Sequence, residues 1–437
     1  MTSPRVLLIA EAANPDWVSV PLVGWSHAEA LARGGNVHVV TQVRNREAIL
    51  ARGWKEGEDF TAIDSEAAAR PIWHFERLLR RSTGLGWSVT TALAALPYYY
   101  FERLVWSRFG EAIRAGEYDL VHRLTPLSPT IPSTIAARCK AAGVPYVLGP
   151  LNGGVPWPSQ FRAVQHREGE WLSYVRDAYK LLPAYRSTRA NASAIIAGSQ
   201  ATLDQLPPSV RDRCVYIPEN AVDPRRFSRQ VEGEVGDVLR LSFVGRLVPY
   251  KGADMLLEAA APLIRAGKVR IDILGDGPEM DRLVSLRSEL AIEEGVELAG
   301  WVPHEQVQDR LVKSDVFAFP SVREFGGGVV LEAMSLGIVP LVLDYAGPRE
   351  LVTDDCGFRV PLGSREEVVA GFRERIEALV SDPSGIRAMG ARARERAFRL
   401  YSWEEKALQT RRVWRWVVGA EEKPSFGMPL TRTAAET

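Results

Sequence analysis

Two glutamates on either side of a glycine run are the residues of this sequence best suited to chemistry. Glu324 and Glu332 are separated by seven residues, and Gly326-Gly327-Gly328 lies between them. The apolar run Val316–Phe319 predicts a strand before them. A helix that begins near Gly327 would place Glu332 roughly 8 Å along its axis. Because the free N–H groups and the positive dipole end of a helix favour an anion, the pattern predicts an anion site. The alternative is that Glu324 is a solvated loop residue.

Two cations in an earlier loop would supply the opposite charge. Arg246 and Lys251 flank a short loop after the apolar run Leu239–Val244. Each full charge about 4 Å from a phosphate contributes at most about 4 kcal/mol at an effective dielectric constant near 20. Together with the glycine turn, these side chains could clamp a diphosphate without a metal ion. The alternative is a pair of surface cations.

Two series of strands would position these loops. Short β-branched runs alternate with helical patterns along the chain, which is typical of parallel sheets with helices on both faces. At 437 residues the chain exceeds the usual size of one hydrophobic core, so we predict two α/β domains. Ligands of such sheets bind at the carboxyl ends of the strands. The predicted strands are Val6–Ala10, Val37–Thr41, Leu120–Arg123, Val144–Gly149, Ala194–Ala197, Leu239–Val244, Val269–Leu274, Val296–Ala299, Val316–Phe319 and Val339–Leu343.

Composition limits the class of protein. The 54 Lys and Arg residues balance the 54 Asp and Glu residues, so we expect no nucleic-acid partner. The cysteines are Cys139, Cys214 and Cys356, and their isolation fits a reducing compartment rather than a zinc site. Arg5 leads straight into a strand-like run, without the pattern of a signal peptide. We predict a cytoplasmic protein.

The glycine-rich loops of the second half occur in an order that resembles a known family. The motifs are Gly245-Arg246-Leu247 with Lys251-Gly252, Gly275-Asp276-Gly277-Pro278, Gly300-Trp301-Val302, and Glu324-Phe325-Gly326 with Glu332-Ala333-Met334. Together they resemble the donor domain of retaining glycosyltransferases of family four (glycosyl transferases group 1), which have the GT-B architecture. The resemblance covers roughly Arg5 to Val417 and is strongest after Ile217.

The resemblance implies two Rossmann-like domains that face each other across a cleft. Residues 1–219 would form the acceptor-binding domain and residues 220–400 the nucleotide-sugar donor domain. Residues 401–420 would form a C-terminal helix that crosses back to the first domain. Residues 421–437 are polar and rich in Pro and Thr, so we expect them to be disordered.

The resemblance also implies transfer of a sugar, with retention of configuration, from a nucleoside-diphosphate sugar to a hydroxyl acceptor. The donor is a co-substrate, and we expect no other cofactor and no metal ion. Arg246 and Lys251 would hold the diphosphate, Glu324 would orient the sugar, and Glu332 would bind the ribose. The departing diphosphate would assist deprotonation of the acceptor in a front-face substitution. The remaining residues predicted to bind the donor are Gly326, Gly327, Gly328, Trp301, Val302 and Gly24.

The first half offers fewer candidate residues. His122 matches the first of the one or two histidines that the family carries at this strand end, and Leu124 occupies the second position. In the family a histidine of this segment lies near the transferred sugar, and of the two positions we predict His122 as catalytic. The loop after the strand Val144–Gly149 is predicted to line the acceptor side, with Asn152 and Gly153 as contacts. His27 is predicted to reach the same side, although a histidine early in a helix is more often a packing residue.

Basic and aromatic residues interleave between Pro71 and Phe109. Such a pattern suits a membrane interface, where a lipid-linked acceptor would be found. The protein would then be peripheral at the inner face of the membrane. The alternative is that these residues lie on helices packed against the first domain. The residues are Trp73, Phe75, Arg77, Arg80, Arg81, Trp87, Tyr98, Tyr99, Tyr100, Arg103 and Trp106.

Two other functions remain open. A nucleotide-sugar epimerase or a phosphorylase could use the same fold, but would need catalytic carboxylates from both domains or a lysine that binds pyridoxal. A non-catalytic nucleotide-sugar-binding protein would keep the ribose and base contacts alone.

Overall fold

The strands form two separate parallel sheets. The computed structural model describes residues 3–67, 87–167 and 178–437. The seven-stranded sheet has the spatial order β3-β2-β1-β4-β5-β6-β7, and the six-stranded sheet has the order β10-β9-β8-β11-β12-β13. The strands are β1 (Arg5–Ala10), β2 (Asn36–Gln42), β3 (Phe60–Ile63), β4 (Leu120–Thr125), β5 (Tyr146–Leu151), β6 (Ala194–Ala197), β7 (Cys214–Tyr216), β8 (Leu239–Val244), β9 (Val269–Leu274), β10 (Val296–Gly300), β11 (Val316–Phe319), β12 (Val339–Leu343) and β13 (Phe358–Val360).

Helices connect the strands, as parallel pairing requires. The α-helices in the described part of the chain are Val20–Ala32, Arg46–Leu50, Trp87–Arg114, Ile135–Ala141, Arg162–Arg167, Tyr185–Asn191, Gln200–Gln205, Ala253–Arg265, Met280–Glu289, His304–Leu311, Gly328–Ser335, Ala346–Leu351, Arg365–Ser381, Ile386–Tyr401 and Trp403–Val417.

The ten strands predicted from β-branched runs are present, within two residues at each end. Three further strands, β3, β7 and β13, were missed. They have only four, three and three residues, and each lies at an edge of its sheet. A short edge strand needs no continuous apolar run because one of its sides has no neighbouring strand. The sequence pattern therefore predicts the centre of each sheet better than its edges.

The chain divides into two compact units, each with one sheet. Among the described residues, unit 1 comprises 3–67, 87–154, 178–219 and 403–437, and unit 2 comprises 155–167 and 220–402. The predicted first domain includes 155–167, but this segment packs with unit 2. Its contacts explain the difference, since Arg323 donates to the Val155 carbonyl and Tyr345 donates to the Pro156 carbonyl.

The C-terminal helix Trp403–Val417 belongs to unit 1 and packs on its first helix. The Arg411 guanidinium donates to the carbonyls of Ala30 and Leu31, at 3.0 and 2.9 Å. The predicted disorder of residues 421–437 is wrong. Phe426 and Leu430 are buried in unit 1, and the backbone N–H of Ala434 donates to the Glu405 carboxylate, so apolar packing and polar contacts together hold the tail.

Candidate functional site

The glycine turn of unit 2 connects a buried strand to a short helix. All four residues of β11 are buried, and the helix Gly328–Ser335 begins after Gly327, whose φ of 62° is left-handed. A side chain at Gly327 would be strained there, and its Cβ would lie 2.9 Å from Leu351. The backbone of Gly347 also donates to the Glu324 carbonyl, at 3.2 Å. The turn thus presents helix N–H groups beside Glu324, as the spacing predicted.

Lys251 lies beside Glu324. Its ammonium group donates to the Glu324 carboxylate, and each side chain is 15% exposed. The cation also lies 5.0 Å from the ring centroid of Phe319, at the end of β11. Strands β8 and β11 are neighbours, so the loops that follow them meet at the same edge of the sheet.

Arg246 occupies a different environment. Its side chain is exposed, and the guanidinium makes no hydrogen bond or ion pair with the residues that the structure describes. The predicted diphosphate clamp therefore has one cation held against Glu324 and one cation directed to solvent. The role of Arg246 stays a prediction.

The second glutamate has partners that the sequence did not predict. His304 donates through Nε2 to Oε1 of Glu332 at 3.1 Å, and Arg226 lies 3.0 Å from Nδ1 of the same histidine. Three separate segments of unit 2 therefore meet at His304. A signal existed in the sequence, since His304 follows a predicted strand end by only a few residues.

The loop after β10 carries the residues predicted to face a base. Trp301 is 73% exposed and Val302 is half-buried. An indole this exposed is free to stack on a flat ligand. The glycine loops beside it are tightly packed, because a Cβ at Gly275 would lie 1.9 Å from the Gly245 carbonyl oxygen. Base binding by Trp301 and Val302 stays a prediction.

Arg323 is a buried residue of the site that sequence reasoning missed. It is 7% exposed, and its guanidinium lies 5.0 Å from the ring centroid of Trp157 and 5.3 Å from that of Phe325. Its Nε donates to the Val155 carbonyl at 3.3 Å. A charged residue next to a candidate carboxylate was the available signal. Arg323 ties the segment 155–157 to the turn that carries Glu324.

The surroundings of His122 do not support the predicted catalytic role. The side chain is fully buried in unit 1. Its Nε2 donates to the Gly149 carbonyl at 2.6 Å, and its Nδ1 accepts from the indole of Trp414 at 3.0 Å. Burial lowers the pKa of His122 to about 4. With both nitrogens occupied, the imidazole is a structural link between β4, β5 and the C-terminal helix.

His27 is also a packing residue rather than an acceptor contact. It is 1% exposed, its Nε2 lies 3.2 Å from the hydroxyl of Thr410, and its ring lies 5.8 Å from that of Trp403. Burial, with the nearby positive charge of Lys406, holds the pKa of His27 well below its usual range. The C-terminal helix therefore covers both histidines.

The predicted roles of Asn152, Gly153 and Gly24 in unit 1 stay predictions. Asn152 donates to the Glu219 carboxylate, and its Oδ1 accepts from Ser199 at 3.2 Å. Gly153 is buried. A Cβ at Gly24 would lie 2.1 Å from the Ala12 carbonyl oxygen, so close packing alone requires a glycine there.

Comparison with known proteins identifies the family. The model of the glycosyl transferases group 1 family matches residues 224–396. A GDP-mannose-dependent alpha-(1-6)-phosphatidylinositol monomannoside mannosyltransferase of Mycobacterium tuberculosis is 30% identical over 289 residues, which cover 62% of this chain and 70% of that protein. This chain belongs to the glycosyl transferases group 1 family.

Other relatives match a smaller part of their own length. A phosphatidylinositol N-acetylglucosaminyltransferase component of Arabidopsis thaliana is 30% identical over 204 residues, or 46% of this chain and 43% of that protein. The chain thus spans less than half the length of that relative.

Solved structures share the fold of this chain at low sequence identity. A sucrose-phosphate synthase from Thermosynechococcus elongatus has a TM-score of 0.61 at 16% identity, with 96% of this chain and 100% of that chain covered. Anabaena HepE in complex with UDP has a TM-score of 0.56 at 17% identity, with 93% and 98% covered. The predicted family and the GT-B fold class, an α/β fold with two Rossmann-like domains, are confirmed.

The group 1 match lies inside unit 2. It contains Lys251, Glu324, His304 and Glu332 together with the glycine turn. Unit 1 lies outside the matched range. The family signal therefore coincides with the unit in which the candidate side chains meet.

The basic-aromatic region is described only in part. Residues 68–86 lie outside the described residues, and so does the side chain of Trp87. In the remainder, Tyr98 and Phe101 are buried in the core of unit 1, and Trp106 packs against that core. These contacts fit the packing alternative for residues 95–109. None of the helices in the described ranges is both long and apolar enough to cross a membrane.

Proposed function

We propose that this protein transfers a sugar from a nucleoside-diphosphate sugar to a hydroxyl acceptor, with retention of configuration at the anomeric carbon and without a metal ion or other cofactor. The observation that carries the proposal is the Lys251–Glu324 pair beside the glycine turn. A cation and helix N–H groups suit a diphosphate, and a carboxylate suits sugar hydroxyls. Membership in the group 1 family supports the same reading.

The donor would replace the contact between the two side chains. Lys251 and the exposed Arg246 would hold the diphosphate, while Glu324 would turn to the sugar hydroxyls. A fixed cation about 4 Å from the departing phosphate contributes about 4 kcal/mol at an effective dielectric constant near 20. This stabilisation accelerates the reaction only where it increases as the phosphate develops charge.

The acceptor would lose its proton to the departing diphosphate. The new glycosidic bond forms on the face from which the diphosphate leaves, so the anomeric configuration is kept. We do not assign the base to His122, because both of its nitrogens are engaged inside unit 1. Glu324, once the donor separates it from Lys251, would orient the sugar hydroxyls, and we assign it no nucleophilic role.

The names of similar proteins suggest which substrates to test first. Anabaena HepE was solved with UDP, and the mycobacterial relative is named for GDP-mannose and a phosphatidylinositol acceptor. We therefore propose a uridine or guanosine diphosphate sugar as donor. We propose a lipid-linked hydroxyl as acceptor, in glycolipid or polysaccharide assembly at the cytoplasmic face of a membrane.

Acceptor-dependent release of nucleoside diphosphate tests the reaction. A thermal-shift screen with UDP, GDP, ADP and their sugars first selects the donor, because a ligand at 100 times its Kd adds about 2.7 kcal/mol of stability. Diphosphate release only in the presence of lipid-linked acceptors supports a transferase. Binding without release under any acceptor condition would indicate a nucleotide-sugar-binding protein.

Two further measurements test the mechanism. Activity should persist in excess EDTA, and loss that added metal restores would contradict the metal-free proposal. Proton NMR of the first product should show the anomeric configuration of the donor. Flotation with vesicles containing anionic lipid tests the membrane location, and no association would remove it.

A further inference from the structure

Glu332 is held by a relay of two side chains. Nη2 of Arg226 lies 3.0 Å from Nδ1 of His304, and Nε2 of His304 lies 3.1 Å from Oε1 of Glu332. Arg226 lies near the start of the segment 220–402, His304 begins the helix after β10, and Glu332 lies on the helix after β11. Residues from three distant parts of the sequence therefore meet at one imidazole.

The chemistry of arginine fixes the direction of this relay. A guanidinium only donates hydrogen bonds, so Nδ1 of His304 must accept from Arg226. The ring proton then lies on Nε2, which donates to Glu332. If Nδ1 of His304 also carried a hydrogen, that N–H would face the N–H of Arg226, and neither group could accept. The neutral form with hydrogen on Nε2 is the one that satisfies both contacts.

The imidazole ring is also fixed by packing. Phe227 is 4% exposed, and its ring meets that of His304 edge-on, with centroids 5.6 Å apart and planes at 85°. The backbone N–H groups of Arg226 and Phe227 both donate to the Asp223 carbonyl, at 3.0 Å. One turn thus supplies both the guanidinium and the ring that hold the histidine.

One oxygen of Glu332 is engaged and the other is available. Oε1 accepts from His304, whereas Oε2 makes no hydrogen bond within the described part of the chain, and the side chain is 20% exposed. A carboxylate fixed by one oxygen presents the lone pairs of the other in a defined direction. Such an oxygen suits a ligand with adjacent hydroxyls.

We propose that His304, supported by Arg226, is a positioning residue that aims Oε2 of Glu332 at the ribose hydroxyls of the donor. This inference rests on the proposed function, which assigns Glu332 to the ribose. Ribose binding is equally strong before and during the reaction, so removing the relay should raise KM for the donor and leave kcat nearly unchanged.

Ligands without ribose hydroxyls provide the test. Binding of UDP, GDP and ADP is compared with binding of their 2′,3′-dideoxy forms by calorimetry. We expect the wild-type protein to prefer one ribonucleotide by about tenfold, as for loss of a charged hydrogen bond. His304→Leu should reduce that preference to about twofold, and His304→Gln, which keeps a donor near Nε2, should restore most of it.

Arg310→Gln is the matched control. Arg310 lies on the same helix as His304, but its ion pairs are with Asp272 and Glu297, at 2.9 and 2.6 Å. This variant should keep the wild-type preference for the ribonucleotide. If it loses the preference as His304→Leu does, general loosening of the helix explains the effect and the inference is overturned.

The remaining outcomes separate this inference from the proposed function. If Glu332→Gln loses the preference and His304→Leu keeps it, the relay is overturned while ribose binding by Glu332 stands. If the wild-type protein shows no preference, the relay and the ribose assignment both fail, and acceptor-dependent release still decides the activity. If no nucleotide binds, the proposed function fails as well.

Discussion

His122 in unit 1 and His304 in unit 2 use their ring nitrogens in the same way, but in opposite settings. Each accepts through Nδ1 and donates through Nε2. The partners of His122 are an indole and a backbone carbonyl, and the ring is fully buried. The partners of His304 are two charged side chains, and the side chain is 31% exposed. Identical hydrogen bonding therefore gives a structural link in one unit and a candidate binding element in the other.

What covers each histidine makes the difference. Trp414, the partner of His122, lies 292 residues further along the chain. The residues around His304 all lie within unit 2 and leave one carboxylate oxygen available. A histidine near a strand end is thus a weak functional signal until the element packed over it is known.

Of the predicted substitutions, removal of Lys251 should have the largest effect on activity. An unchanged activity would contradict the contrast between a structural histidine in unit 1 and a binding site in unit 2. Lys251→Ala removes the cation of the candidate diphosphate site, so kcat/KM should fall by about 100- to 1000-fold, as for a lost oxyanion contact. Lys268→Ala, on the exposed surface of the same unit, should be neutral. Steady-state kinetics measures both, and equal activity of the two variants would refute a site in unit 2.

The pH dependence of stability should reveal the burial of His122. Burial lowers its pKa to about 4, against about 6.5 in an unfolded chain. Between these values the unfolded chain binds a proton that the folded chain does not, so the free energy of unfolding decreases as pH falls from 6.5 to 4. The full difference is about 3 kcal/mol.

Urea unfolding at pH 7 and at pH 4.5 measures this decrease. His122→Gln should show a smaller decrease than the wild-type protein, because the variant has no imidazole to titrate. Equal decreases in the two proteins would show that other groups dominate.

Substitution of His122 at neutral pH should separate stability from turnover. His122→Gln keeps a donor for the Gly149 carbonyl but leaves the Trp414 N–H without its acceptor, which costs about 2 kcal/mol. Turnover at a temperature well below unfolding should stay within about twofold. The variant His304→Leu should do the reverse, with a weaker donor affinity and little change in urea midpoint. A large fall in kcat for His122→Gln would restore a catalytic role.

Substitution of Gly347, which packs behind the glycine turn, should have the smallest effect on activity of these variants. A Cβ at Gly347 would lie 2.2 Å from the Phe325 carbonyl oxygen, so Gly347→Ala should displace the turn after Glu324. An overpacked site costs about 1–3 kcal/mol, and we expect KM for the donor to rise about tenfold.

Gly390→Ala provides the matched control for this substitution. Its Cβ would lie 2.1 Å from the Gly337 carbonyl oxygen, so it introduces a similar backbone clash in unit 2. This variant should lose stability without the rise in KM. Equal KM values for the two alanine variants would argue against a site at the turn.

The sequence predicted the parts of the fold that depend on local patterns. Central strands such as β8 and β11 follow from apolar runs, and their adjacency brings Lys251 to Glu324. The edge strands β3 and β13 were missed, because a strand of three or four residues with one open side carries little pattern.

The errors share a different physical cause. The role of His122 depends on Trp414, and the order of the tail depends on the burial of Phe426 and Leu430. The role of His304 depends on Arg226 and on Glu332. Contacts between distant segments decide all of these, and a strand-by-strand reading of one sequence does not contain them.

Because unit 1 includes the C-terminal helix, the two units can complete their folding at different times during synthesis. Unit 1 needs Trp403–Val417 to cover its first helix, yet 183 residues separate Glu219 from Trp403 in the sequence. At about 5–20 residues per second, a ribosome takes roughly 10 to 40 s to cross that interval. During this time one side of β4 and of the first helix in the nascent unit 1 stays exposed. This side carries His122 and His27, and the C-terminal helix later covers it. Unit 1, which contains the start of the chain, therefore completes its folding last. A chaperone that binds apolar surface would bind its exposed side in the meantime.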